Sequence, residues 1–104
     1  EQIRLLPVTD DIRPYAEQLL DKLKTAGVSA TIDSSGERLG KMIRTGEQMK
    51  LPVLAVIGAK EAEQNAVSLR SRRDGDLGVH SVDALLHAAQ LANAERQPGL
   101  GLKQ

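Results

Sequence analysis

Cysteine is absent from the 104-residue chain, which excludes disulfides, thiolate zinc sites and cysteine nucleophiles. Aromatics are almost absent: there is no Trp, no Phe, and one Tyr, Tyr15. That excludes the aromatic stacking platform on which RRM and OB modules hold single-stranded nucleic acid. Net charge is missing too, with 14 Lys plus Arg against 14 Asp plus Glu. A bulk basic protein that coats nucleic acid or anionic lipid is excluded on that count. No apolar run reaches the roughly 18 residues of a membrane span, so no membrane partner is expected. The chain opens on Glu1, with neither an initiator Met nor an apolar leader, and reads as a piece of a longer polypeptide without a signal peptide.

What is present is periodicity, enough for one domain. Residues 3–8 read as a short first strand. Asp10 and Asp11 are N-cap candidates for a helix with Pro14 in its first turn. Its inner face is Ile12, Ala16, Leu19, Leu20 and Leu23, and Gly27 stops it at the C′ position. Residues 28–32 alternate as a second strand. A second helix follows over about residues 38–49, with Leu39, Met42, Ile43 and Met49 inward, Gly46 allowing close approach, and Pro52 ending it. The unbroken apolar run 53–57 suits a strand buried on both faces. Residues 60–65 read as a polar connection, 66–70 as a fourth strand, and 76–79 as a short fifth after the Asp74-Gly75 turn. Ser81 caps a last helix with Val82, Leu85, Leu86 and Ala89 inward, closed by Pro98 and Gly99. The order β-α-β-α-β-β-β-α predicts an α/β fold, a mixed sheet layered between helices, with parallel pairing early and antiparallel pairing at one edge. Residues 1–97 form the domain and 98–104 a loose tail.

The zero net charge hides a pattern. Residues 1–35 carry four basic and six acidic side chains, residues 36–73 eight and four, residues 74–104 two and four. The basic middle contains Arg38, Lys41, Arg44 and Lys50, then Lys60, then Arg70, Arg72 and Arg73. A hairpin of strands three and four would let the helix and arginine clusters share one end of the sheet as a phosphate-binding patch. Arginine suits planar, bidentate recognition of phosphates or base edges.

Other constellations fail. Gly36-x-x-x-Gly40-Lys41 approaches a P-loop but is one residue short, and Met42 replaces the magnesium-binding hydroxyl. His80 and His87, seven apart, offer too few ligands for a metal. Ser34 and Ser35 have no base or oxyanion partner at motif spacing. Glu61 and Glu63 alternate in an exposed connection rather than forming a buried acid pair. No catalytic residue is assigned, and no cofactor is expected in this domain.

Three stretches carry a resemblance: Ser-Gly-Glu-Arg-Leu-Gly-Lys-Met-Ile-Arg (35–44), Leu-Pro-Val-Leu-Ala-Val-Ile-Gly-Ala-Lys-Glu (51–61) and Val-Ser-Leu-Arg-Ser-Arg-Arg-Asp-Gly-Asp-Leu-Gly (67–78). With Leu-Pro-Val-Thr-Asp (6–10) and Ala-Gly-Val (26–28), they make residues 3–95 resemble the C-terminal anticodon-binding domain of threonyl-tRNA synthetases, which are class II enzymes. The most specific piece couples Gly-x-Lys-Glu to an Arg-x-Arg strand end running into Asp-Leu-Gly.

The resemblance implies a three-layer α/β fold, a mixed five-stranded sheet with three helices. It implies a domain that binds the anticodon loop of threonine tRNA and reads a central G and a following U while tolerating the wobble base. Glu61 falls at the family's acidic reading position and Arg70 at its arginine position; these are the candidate base readers. Arg44 would meet phosphate or base. Lys41, Lys60 and Arg72 would position the backbone, and Glu37 and Arg38 complete the RNA-binding set. Gly36 stands where many family members carry an Asn that reads U, so that role falls to backbone groups of 35–37 or to a neighbouring side chain. The same resemblance implies a parent ligase with ATP and zinc in its catalytic domain, a homodimer, located in the cytoplasm or an organellar stroma or matrix. The isolated fragment would not be catalytic. Two other uses of the fold stay open: a non-decoding dimerisation or regulatory module, and the anticodon domain of a prolyl, glycyl or histidyl synthetase.

Overall fold

A computed structural model describes residues 3–33, 36–72 and 75–95, with side chains as far as residue 90. Strand β1 (Ile3–Pro7) leads through a 3-10 turn (Asp10–Ile12) into helix α1 (Arg13–Thr25), then β2 (Ala30–Ile32), α2 (Leu39–Gln48), β3 (Val53–Ile57), α3 (Ala59–Glu63), β4 (Ala66–Ser71), β5 (Gly75–Ser81) and α4 (Val82–Glu95). The sheet order is β2-β1-β3-β4-β5. β1 pairs parallel with both β2 and β3, and β3-β4-β5 is an antiparallel meander. The mixed five-stranded sheet is as expected.

Strand alternation divides the core in two. Ile3, Leu5, Val53, Ala55, Ile57, Val67 and Leu69 face α1 and α4 in the larger cluster. Leu6 and Leu54 face the other way, where Met42 of α2 and Leu51 cover them. The crossovers β1-α1-β2 and β2-α2-β3 move in opposite directions across the sheet. A common hand therefore puts their helices on opposite faces, as found.

The end of α1 shows why its boundary was legible. Gly27, at φ 82, occupies the left-handed C′ position. Its N–H reaches Lys24 O at 3.0 Å, and Val28 N–H reaches Leu23 O at 2.9 Å. That is a Schellman cap with buried Leu23 and Val28 as its apolar pair. The cap takes the amide of Val28, so β2 starts at Ala30 and not at 28. Ser81 Oγ accepts from Ala84 N–H at 3.1 Å, the expected N-cap of α4.

Three further expectations are corrected. Among the described residues there are four α-helices and not three, because the supposed polar connection after β3 winds into α3. Gly58 stands extended at its N-cap, its N–H donates to Glu61 Oε1 at 3.1 Å, and Ala62 N–H closes the first turn on Gly58 O. Asp10 and Asp11 lie in the 3-10 turn rather than capping α1, whose N-cap position is Ile12; the Thr9 hydroxyl donates to the Asp11 carboxylate. Met49 follows the last turn of α2 and is half exposed, not inward. The helix close at Pro98 and Gly99 and the 97/98 boundary lie outside the described residues.

Candidate nucleic-acid interface

The two sheet faces are unequally covered. α1 and α4 both pack on one, whereas α2 alone sits on the other, over β1 and β3. Beside α2 the β3-β4-β5 surface is open. Its cross-strand rows follow from register: Leu54 neighbours Arg70, and Arg70 neighbours Asp76; Val56 neighbours Ser68, and Ser68 neighbours Val79. Arg70 and Val79 are exposed, Val56 and Ser68 partly buried. Val79, 58% exposed, is an apolar side chain laid open on this strip.

Glu61 stands on the same face, at one end. A Cβ added to Gly58 would follow Leu54 and Val56 in strand alternation, and it would meet Glu61 Oε1 at 3.4 Å and Val8 Cγ2 at 3.7 Å. The Glu61 carboxylate therefore lies over the carboxyl end of β3. From the Leu54–Arg70 row to Gly58 is four strand residues, about 13 Å. Glu61 and Arg70 thus bracket the open strip from its two ends. One Glu61 oxygen holds the Gly58 amide, and a carboxylate retains acceptor capacity beyond that bond.

The cations are spread along this face. A hairpin sets the end of β4 beside the start of β3, and α2 runs back along the strands. The last turn of α2 therefore meets Arg70: Glu47 Oε1 lies 3.9 Å from Arg70 Nε. Lys60, just beyond the far end of β3, is exposed on α3 at the opposite end, near which α2 begins after Arg38. The expectation that the helix and arginine clusters share one end thus holds only for the end of α2. Arg38, Lys41 and Arg44 are exposed; α2 spans about 15 Å, so they form a rail rather than a patch. Lys41 Nζ pairs with Glu37 Oε1 at 3.2 Å, one helical turn back. Exposed Arg72 extends the rail beyond β4, its N–H bonded to Pro52 O at 2.9 Å. Arg73 lies outside the described residues.

Two clefts flank the strip. One of about 280 Å³ is walled by Glu47, Arg70, Arg72 and Ser71 over Leu51 and Leu54. The other, about 60 Å³, lies beyond the carboxyl end of β1 between Thr9, Asp10, Arg13, Asp33, Gly36 and Glu37. Open α/β sheets commonly bind ligands in that position. Gly36 has φ 74 and nothing within 4 Å of where a Cβ would be.

Sequence reasoning missed Glu47 and the Val56–Ser68–Val79 floor. Glu47 left one signal, an acid in the last turn of a helix that has no base there. His80 turns to its own strand, with Nε2 2.8 Å from Leu77 O. Among the described residues no group of His, Asp and Glu is placed to hold a metal ion, and no helix is long and apolar enough to cross a membrane.

An open sheet strip railed by a basic helix, with a carboxylate at one end and a guanidinium at the other, is a surface for polar recognition. The comparisons specify the class. The family model for the anticodon binding domain matches residues 2–90, and the chain belongs to that family. Among its relatives is a threonine–tRNA ligase of Synechococcus sp. (strain CC9902), 85% identical over 98% of this chain and 17% of that protein. Another, from Synechococcus elongatus, is 50% identical over 96% of the chain and 17% of the relative. The chain thus spans about a sixth of the length of these curated relatives. Among solved structures, the RNA binding domain of threonyl-tRNA synthetase from Cryptosporidium parvum Iowa II superposes with a TM-score of 0.78 at 25% identity, covering 84% of this chain and 22% of that one. Histidyl-tRNA synthetase from Nostoc sp. shares the fold, with a TM-score of 0.79 at 20% identity over 92% of this chain and 22% of its own.

Proposed function

We propose that this chain is the anticodon-binding domain of a threonine–tRNA ligase, and that its open sheet face holds the anticodon loop of threonine tRNA while the ligase charges the distant acceptor end. The observation that carries the reading is the placing of Glu61 and Arg70 on one open face, about 13 Å apart along the strands. A carboxylate accepts from the donor edge of guanine, and a guanidinium donates to base oxygens and ring nitrogens. These two residues read bases. Arg38, Lys41, Arg44, Lys60 and Arg72 bind the phosphate backbone and set register, with Glu37 orienting Lys41. The match of nearly all of this chain to about a sixth of the length of threonine–tRNA ligases supports the choice of amino acid. ATP and zinc belong to the catalytic part of such a ligase, which is this domain's partner in a homodimeric cytoplasmic enzyme; the domain alone performs no aminoacylation.

The test is RNA binding by this chain to the anticodon stem–loop of threonine tRNA and to one with its central G replaced. Glu61→Ala and Arg70→Ala each reduce the preference for the cognate loop by roughly fivefold to 150-fold, equivalent to about 1–3 kcal/mol. Unchanged preference in both variants refutes base reading by these residues. Equal binding of the two loops by the unaltered chain favours a non-decoding dimerisation or regulatory module instead.

A further inference from the structure

Glu47 is locally misplaced. It lies in the last turn of α2, where exposed helix carbonyls disfavour an acid, and that turn contains no Lys or Arg. The reading of the face as an RNA surface makes it odder, because a carboxylate among Arg44, Arg70 and Arg72 repels phosphate. Its one close ionic contact among those described is Arg70, Nε to Oε1 at 3.9 Å, with both side chains about half exposed. Asp76 is the other acid beside Arg70 in the strand register; its Oδ1 is turned to Gly78 N–H, from which it accepts at 2.9 Å. Both Glu47 and Arg70 wall the 280 Å³ cleft floored by Leu51 and Leu54.

We infer that Glu47 is a positioning residue that sets the specificity of Arg70; the inference rests on the proposal that Arg70 reads a base. With the Glu47 carboxylate on the Nε side of the guanidinium at 3.9 Å, within ion-pair range, the two terminal NH2 groups stay available to an incoming ligand. The acid beside it changes which ligand is accepted. A phosphate at Arg70 would be brought against the Glu47 carboxylate, and like charges at that range repel. A neutral base edge carries no such penalty. Glu47 thus withholds Arg70 from indiscriminate phosphate binding and reserves it for a base. The cost is affinity and the gain is discrimination.

The test uses this chain, the cognate stem–loop and the loop with its central G replaced. Glu47→Gln keeps the shape and removes the charge. It tightens binding of the replaced loop by about fivefold while moving the cognate loop less, and it steepens the salt dependence by about one phosphate contact. Glu17→Gln, which removes an exposed acid of α1 on the opposite sheet face, is the control for charge alone. Equal effects of the two variants on both loops overturn the inference. In an Arg70→Ala background, Glu47→Gln no longer alters the preference between loops; a surviving effect also overturns it. If Arg70→Ala leaves the preference intact, the base-reading proposal itself has failed. If Arg70→Ala lowers the preference and Glu47→Gln does not, only the role of Glu47 has.

Discussion

Gly46 and Leu54 are packed so closely that a side chain at position 46 would force Leu54 to shift. A Cβ on Gly46 would stand 2.7 Å from Leu54 Cδ2 and 3.0 Å from Cδ1. Both residues are buried, so the gap between α2 and β3 is set by the missing side chain. The basic rail on α2 is mounted on this contact. Gly46→Val is expected to destabilise the chain by about 1–3 kcal/mol through overpacking. A denaturant midpoint equal to that of the unaltered chain would show that α2 can move away without cost.

Lys50 closes α2 in the left-handed conformation, at φ 60. Its N–H reaches Glu47 O at 3.0 Å and Leu51 N–H reaches Gly46 O at 3.2 Å, the same Schellman geometry that Gly27 serves on α1. A lysine there is strained, whereas glycine is not. Lys50→Gly is expected to raise stability by up to about 1 kcal/mol, the relief exceeding the added freedom of the unfolded chain. Thermal or urea unfolding measures it, and a loss of stability contradicts it.

The only aromatic side chain ties the first helix to the fourth strand. Tyr15 OH donates to Ala66 O at 3.1 Å, and burial raises its pKa above the ordinary 10.0. The folded chain holds this proton more tightly than the unfolded chain. The contribution is therefore whole below pH 10 and is lost as pH rises through the folded-state pKa. Tyr15→Phe is expected to cost about 1 kcal/mol at neutral pH and to remove that alkaline component. Urea unfolding at neutral pH and at about pH 11 checks both, and absorbance of the single tyrosine gives its titration directly. A variant that loses stability with pH as steeply as the parent would refute the assignment.

Gly36 leaves open space beside the small cleft, at φ 74. Asparagine enters that conformation more readily than other residues with side chains. Gly36→Asn is expected to cost under about 1 kcal/mol of stability. On the proposed decoding role it adds a donor and an acceptor where family members read U. Preference for a stem–loop with U over C at the third anticodon position should then rise by about twofold to tenfold. No change in that preference would mean that backbone or neighbouring groups already do the reading.

Local rules made much of this fold legible. Gly27 could be read as a helix stop because a left-handed C′ residue is needed wherever such a cap forms. The run 53–57 could be read as a central strand because no polar face was left for water. Gly58 and Glu61 are not legible as a helix start, since the short helix they open has no apolar stripe. Met49 keeps the apolar spacing of α2 but sits at its C-cap, where the chain leaves the helix, so the spacing alone does not turn it inward.

The site divides the same way. Residue types and spacing singled out the basic middle segment with Arg70, because charge belongs to the side chains themselves, whereas Glu61 stood out only through the resemblance of residues 51–61 to the threonyl-tRNA synthetase domain. Their arrangement came from topology. The hairpin reversal after β3 carried Arg70 to the far end of the strip from Glu61, and the backward run of α2 brought Glu47 to Arg70 across 23 residues of sequence. No local pattern links positions so far apart. Pairing register and helix packing decide which charges meet, and those exist only once the sheet has formed.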